Sequence, residues 1–405
     1  MIKIIPGGIC AAKGFKASGV HCGIRKNKEK KDLALIYSEI PAAAAAIYTT
    51  NIVKGAPLTV TMKHLENGKA QAIICNSGNA NTCNENGIEI AESAAVLLAE
   101  GLGIEKEDVV VASTGVIGQP LDIAPFKDGI PSLISSLSDK GSRSAAEAIM
   151  TTDTVKKEAA VAFEVGGKAC RLGAIAKGSG MICPNMATML VFITTDCDIS
   201  SVLLQKALSE DAKKTFNMLS IDGDTSTNDM AVILANGKAG NKKIEKEDEN
   251  FDIFAKALNL LTVNLCRMLA GDGEGATKLI ECKVSGAADE KTAKSVAKSV
   301  ISSDLVKAAM FGNDANWGRV LCAIGYSGAK TDVSKIDVFF SSAKGKIQVC
   351  ENGSGVPFSE EQAKKILSER EIEILIELHS GECDATAWGC DLTYDYVKIN
   401  GDYRT

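Results

Sequence analysis

The chain has 405 residues, 45% of them hydrophobic and 24% charged, the balance of an ordinary globular protein with length for a large core and about two domains. A formal net charge of -6 and an isoelectric point near 5.4 speak against a general nucleic-acid binder, which presents a basic face. The opening MIKIIPGGIC lacks the charged head and apolar block of a secretory signal, and no run approaches the ~18 apolar residues of a bilayer span, so a cytoplasmic protein with no membrane contact is expected.

In chain order, the basic run RKNKEKKDLALI from Arg25 reads as a solvated loop before a strand. Short apolar runs alternating with turn clusters (LALIYSE, AIYTTN, PLTVTM, QAIICNSG) lead to a helical pattern over Glu89 to Leu102. Val109 to Ala112 predicts a strand that enters the Gly-bounded loop STGVIGQPL, and Asp139 to Met150 has helical spacing. AVAFEVGGKACRLGAIAKG predicts a hairpin turning at Gly166-Gly167, because the runs on both sides alternate. KGSGMICPNMATMLVFITTD, Lys177 to Asp196, then changes character: a bending Gly/Ser/Asn/Pro half gives way to an apolar, β-branched run, Met189 to Thr195, that reads as a buried strand.

A helix is predicted over Ser200 to Leu219, then the loop IDGDTSTND, a strand at Met230 to Leu234, a charged turn region over Gly237 to Asn250, and a long helix over Phe251 to Ala270. GDGEGATKLIECKVSG reads as a glycine loop entering a strand. From about Ala287 the pattern becomes helix, loop, short strands and a charged helix (Ser359 to Leu367), ending in strands up to Asp402. The division expected near 285 separates a larger unit, 1–285, from a smaller C-terminal one, 286–405. Alternating helices and strands make the fold class α/β or α+β.

Chemistry-bearing residues are sparse. Histidine occurs at 21, 64 and 379 only, with no Ser, Cys or Asp constellation beside it, so a nucleophile here needs another base. The cysteines number 13, an odd count at wide spacings without a Cys-x-x-Cys pair; they read as small buried hydrophobes, and neither a metal site nor a resident cofactor is expected. IDGDTSTND lacks the glycine and glutamate of a calcium loop and reads as an Asx-rich turn. GDGEGATK is no phosphate-binding motif, yet Glu274, a carboxylate among glycines, suits recognition of an amine or a solvated turn equally. STGVIGQPL could aim backbone N–H groups at an oxyanion or be an ordinary turn.

Thr188 stands where the bending half of KGSGMICPNMATMLVFITTD meets the strand. A threonine hydroxyl is a weak nucleophile without a base. Cleavage in front of it would free an α-amino group, with an ordinary pKa of ~7.7 to 8.0, to serve as that base. A Thr that merely opens a strand fits the same pattern.

Eight blocks decide between these readings: KKDLALIYSEIPAAAAAIYTTN, ICNSGNAN, VASTGVIGQPL, AIMTTDT, AKGSGMICPNMATMLVFITTD, IDGDTSTND, GDGEGATKLIE and GNDANWGRV, followed by the terminal VKINGDYRT. In this order they closely resemble the ornithine acetyltransferase (glutamate N-acetyltransferase) family of arginine biosynthesis. The resemblance implies self-cleavage between Ala187 and Thr188, giving chains 1–187 and 188–405, with Thr188 as nucleophile. It implies oxyanion stabilisation by Thr114 and Gly115, and substrate contacts from Thr151, Lys177, Thr188, Glu274, Asn400 and Thr405. Cys183 stands where related chains often have alanine, which looks tolerable.

The implied reaction moves acetyl from N-acetylornithine to glutamate through an acetyl-Thr188 intermediate. Members with and without acetyl-CoA as a further donor occur in the family, so it stays open as a co-substrate. The implied fold is a four-layer α/β/β/α sandwich of the aminopeptidase/ornithine-acetyltransferase type with a smaller C-terminal α/β domain, assembled as α2β2. Two alternatives are an N-terminal-nucleophile aminopeptidase of the same fold, which uses a serine after glycine, and an uncut, non-enzymatic binding protein.

Overall fold

The computed structural model describes residues 1–181 and 189–402. Within them the first part of the chain forms β1 (Lys3–Ile5), β2 (Phe15–Val20), β3 (Leu33–Tyr48), α1 (Ala56–His64), β4 (Lys69–Asn79), α2 (Gly87–Leu102), β5 (Val109–Val116), α3 (Ala124–Ser135), α4 (Ser142–Ile149), β6 (Lys157–Val165), β7 (Lys168–Lys177), β8 (Leu190–Thr195), α5 (Ser201–Ala212), β9 (Leu219–Ser220), β10 (Met230–Ala235) and α6 (Glu249–Gly271). The rest forms β11 (Leu279–Ala287), α7 (Glu290–Ile301), α8 (Asp304–Phe311), α9 (Trp317–Gly325), β12 (Asp337–Ser342), β13 (Gly345–Glu351), β14 (Ser354–Gly355), α10 (Glu360–Leu367), β15 (Glu371–Glu377), β16 (Cys383–Cys390) and α11 (Tyr394–Asp402).

Among the described residues, nine strands make one sheet in the order β1-β6-β7-β8-β10-β3-β4-β5, with β2 paired to β3. Both of its faces are apolar. Ile73 and Val110 of β4 and β5, at one end of the strand order, share one core with Phe192 and Val232 of the central β8 and β10 and with Ile149 of α4. A flat sheet of this size is roughly 40 Å wide at about 4.8 Å per strand, and an eight-residue α4 is only about 12 Å long. The sheet therefore buries this face by folding over on itself, with α4 touching both halves. The long β3 is the hinge of the fold: Leu33–Tyr37 pairs with β4, its register breaks between Tyr37 and Ala42, and Ala43–Tyr48 pairs with β10.

The outward faces are covered separately. Ile74 and Val111 pack on Leu98 of α2 and Leu133 of α3, while Val191, Ile193 and Ile233 pack on Leu204 of α5 and Leu258 and Leu265 of α6. This gives the expected α/β/β/α layering. The free edge of β5 is closed by α1, whose Thr61 hydroxyl bonds both the N–H and C=O of Val111 at 2.8 Å and whose His64 meets the Val109 carbonyl.

The second sheet has seven strands among the described residues, β14-β13-β12-β15-β11-β16-β9, and packs its Cys282, Val284 and Ala387 into the same core as α6. Residue 285 lies inside β11, whose pairing with β16 continues to Ala287. α6 has the length and, at mean hydropathy 1.3, the composition of a bilayer span, which the sequence reading did not expect; half of that window is buried, between the two sheets.

Other expectations need correction. The helix predicted to Leu219 stops at Ala212, because the buried Asp211 carboxylate gathers Thr215, Asn259 and Thr262 and turns the chain into β9. The apolar run PLTVTM, to which the sequence reading assigns no element, is helix α1, with its proline in the first turn, where its missing N–H costs nothing. The terminal strands expected to reach Asp402 end at Cys390, and the tail is α11. The hairpin is as predicted: Val165 faces Lys168 across Gly166 and Gly167, both at positive φ.

Candidate active site

Three ends meet at one small cavity: the end of β5, the end of β7 where β8 enters, and the glycine loop after α6. The cavity encloses about 120 Å³ and is lined by Thr114, Gly115, Thr151, Lys177, Glu274 and Asn400, with Ala80, Ile117, Thr152, Gly180, Met181 and Ser226–Asn228 completing the wall. All six sequence-predicted site residues among the described ones thus converge. Ala187, Thr188 and Thr405 lie outside the described residues. Leu190, two residues beyond Thr188, pairs with Lys177, and Met189 is buried, its carbonyl accepting from the Met230 N–H.

Lys177 is the last residue of β7 and is buried. Its Nζ donates to Thr114 Oγ1 at 3.3 Å. A hydroxyl that accepts from an ammonium keeps its own proton to donate, so Thr114 can offer an O–H to the cavity. Gly115 follows at φ +133, and a Cβ there would sit 2.4 Å from the Gly78 carbonyl carbon. Only glycine permits that approach of β5 to β4.

The polar blocks between these points are scaffolding. Asn228 Nδ2 donates to the carbonyls of Ala80 and Ser113, and its Oδ1 accepts from Thr82 and Thr227 at 2.6 Å each. Ser113 in turn bonds Asn76, which reaches back to the Asn79 carbonyl. Thr114 is thereby fixed from both sides without a histidine. IDGDTSTND is the Asx-type turn its sequence suggested, Asp222 accepting the Asp224 N–H, and it is also more: Ser226 to Asn228 face the cavity.

Glu274 sits just beyond the C-terminus of α6, its N–H bonded to the Ser179 carbonyl at 2.7 Å. Asn400 of α11 donates to its Oε2 at 2.8 Å. A Cβ on Gly180 would lie 2.3 Å from that carboxylate, so the glycine of KGSG makes room for the acid. The C-terminal end of the 23-residue α6 adds negative potential to the same spot, favouring a cation.

Behind this surface lies a group of ions that sequence reasoning missed. Lys157 Nζ, 1% exposed, bonds Asp153 Oδ1 at 2.7 Å and Asp272 Oδ2 at 2.6 Å. Asp153 also accepts the N–H groups of Thr151 and Gly178. Burial pushes the Asp153 carboxyl up, but the Lys157 and Lys177 charges and the Gly178 amide outweigh it and hold it at about 2. Burial, the largest influence on Lys177, lowers its pKa; Asp153 opposes this and Lys157 adds to it. The one available signal was TTDTVKK, an Asp and a Lys four apart beside the predicted Thr151; the partner at 272 is out of local range.

The described histidines stand elsewhere, His21 beside Asp32, His64 beside Glu92 and His379 beside Asp337. Asp337, Glu377 and His379 could approach a metal ion together, but they are exposed or half-buried and do not line the cavity.

The ArgJ family model matches residues 16–405. The chain belongs to the ArgJ family. It is 54% identical, over the full length of both chains, to the arginine biosynthesis bifunctional protein ArgJ of Caldanaerobacter subterraneus subsp. tengcongensis. It is 46% identical to the protein of that name from Bacillus subtilis, over 99% of this chain and 97% of that one. The crystal structure of an arginine biosynthesis bifunctional protein from Bacillus halodurans, 46% identical, superposes with a TM-score of 0.50, covering 53% of this chain and 98% of the solved one.

Proposed function

We propose that this ArgJ family member is a self-cleaving glutamate N-acetyltransferase of arginine biosynthesis. The observation that carries the reading is a cavity with a buried ammonium, Lys177, and a buried carboxylate, Glu274, on one wall each, beside Thr114 and Gly115. An N-acetylated diamino acid has the complementary charges: its α-carboxylate meets Lys177 and its side-chain ammonium meets Glu274. An aminopeptidase cleft open to peptides has no use for both.

Cleavage between Ala187 and Thr188 frees the Thr188 amine. That amine takes the hydroxyl proton as Oγ1 attacks the acetyl carbonyl of N-acetylornithine, and the C=O electron pair moves to the oxygen facing Thr114 and the Gly115 amide. Collapse breaks the C–N bond; ornithine leaves carrying the proton, and the acetyl group stays as an ester on Thr188. Glutamate then repeats the sequence in reverse, its amine attacking the ester and its proton returning to the Thr188 oxygen. No metal or organic cofactor has a role in these steps; acetyl-CoA can replace N-acetylornithine as donor in the bifunctional mode, delivering acetyl to the same Thr188. The two chains, 1–187 and 188–405, remain associated, as α2β2. The solved relative is matched over 98% of its length yet covers 53% of this chain, a span that fits one separated piece.

Glutamate acetylation measured with N-acetylornithine, and separately with acetyl-CoA, tests this. Acceptor-dependent transfer from N-acetylornithine is expected; steady peptide-amide hydrolysis with no acceptor dependence would overturn it in favour of the aminopeptidase.

A further inference from the structure

Lys177 and Glu274 come from separate parts of the chain, the end of β7 and the loop after α6. What joins them is the ion group behind the cavity. Lys157, the first residue of β6, places its ammonium between Asp153 and Asp272 and completes its hydrogen bonds on the Val155 carbonyl at 3.2 Å. Asp153 Oδ1 also takes the Gly178 N–H at 2.8 Å, one residue past Lys177, and its Oδ2 takes the Thr151 N–H at 3.0 Å. Asp272, two residues before Glu274, accepts the N–H groups of Thr154 and Val155 at 3.2 Å and the Thr154 hydroxyl. Charge-assisted hydrogen bonds therefore link the Gly178 N–H, next to Lys177, through Asp153 and Lys157 to Asp272, and the backbone carries the connection the last two residues to Glu274.

We propose that Asp153, Lys157 and Asp272 are positioning residues that fix the separation of Lys177 and Glu274, and so make the site selective for the length of the diamino-acid side chain. This rests on the function proposed above. A rigid strut is needed because one methylene discriminates weakly by apolar contact alone. With both ends held, a shorter side chain leaves the Glu274 charge without a cation and a longer one is forced against it, and a buried charge without a counter-ion is costly. The strut is well suited to rigidity: its ammonium has three acceptors for three donors, and it is dry. Its own charge of one cation and two anions is offset by Lys177 beside it.

The test compares N-acetylornithine with the N-acetyl diamino acids one methylene shorter and longer, glutamate being the acceptor. Asp272→Asn is expected to raise KM for N-acetylornithine about tenfold with little change in kcat, and to reduce the preference for ornithine length by about the same factor. Thr154→Val, at an exposed position, removes one hydrogen bond from Asp272 and should shift both quantities in the same direction by about threefold. Lys157→Arg keeps both ion pairs and should retain most of the preference.

A role in folding alone would lower the yield or melting temperature while the folded enzyme kept its KM and length preference. Unchanged KM and preference in folded Asp272→Asn overturns the proposal; if that variant does not fold, the same result in Thr154→Val overturns it. Wild-type enzyme that transfers no acetyl from N-acetylornithine overturns the function as well, whereas active wild type with unaffected variants removes only the strut.

Discussion

The two walls of the cavity are built in different ways. Lys177 ends a central strand, is buried, and is braced by ions that are themselves dry. Glu274 sits on a glycine loop and is completed by Asn400, an exposed residue of a final helix with no buried positions. α11 is tied down at its start, where Thr393 Oγ1 donates to the Gly275 carbonyl at 2.7 Å and accepts the Tyr396 N–H. The contrast teaches how each charge is held: Lys177 is set in the core at the end of a strand, whereas Glu274 is anchored at its backbone side through Asp272 and completed at its carboxylate by Asn400 from the final helix.

If that contrast holds, substitutions on the two walls differ in size. Lys177→Met removes the buried ammonium and leaves Asp153 less compensated; kcat/KM should fall roughly a hundredfold or more for both amino-acid substrates. Equal activity of this variant would show that the strand wall is not where the carboxylate binds. Gly180→Ala puts a methyl group where the Glu274 carboxylate now lies, and a KM rise of about tenfold for N-acetylornithine, with a smaller change for glutamate, is expected. Should both KM values rise together, the loop wall would be reading the shared carboxylate instead.

Acid titration separates the walls by stability. Asp153 is held at about 2 against an ordinary 3.8, so its contribution is complete above about pH 4 and is lost as the pH falls toward 2. Asp153→Asn should flatten the melting temperature over that window while lowering it at neutral pH; the same acid slope in both proteins would remove Asp153 as its source. The smallest effect belongs to Asn400→Ala, which deletes one part-buried hydrogen bond to a charged acceptor and should raise KM about threefold with kcat retained. An effect as large as that of Lys177→Met would erase the contrast.

What was legible in the sequence followed the range of the forces involved. The hairpin at Gly166-Gly167, the β8 and β10 strands and most of α6 are set by local periodicity and turn chemistry, and they appeared where expected. The tail misled because YDYVKI alternates like a strand; its helix depends on Thr393 meeting Gly275, a contact 118 residues apart. The folded-over sheet followed from the family resemblance, since no local pattern in the alanine-rich β3 announces its bend.

The site divides the same way. Thr114, Gly115, Thr151, Lys177, Glu274 and Asn400 were placed by resemblance, and the fold brings them to one cavity. Asp153, Lys157 and Asp272 were passed over because charged residues read as solvated by default, and the Lys157–Asp272 pair spans 115 positions. Asn228 was hidden inside an Asx-rich turn that is also a turn in fact.

The account turns on Thr188 as a new N-terminal nucleophile. Intact-mass measurement of the enzyme mixed with N-acetylornithine carrying a labelled acetyl group, without glutamate, addresses this directly. Two chains of 187 and 218 residues (405 less 187) are predicted, with one acetyl group on the second, at Thr188, released when glutamate is added; Thr188→Ala should give one uncut, unlabelled, inactive chain. An active chain of 405 residues that is never cut, or a label that resides on another residue, would contradict it.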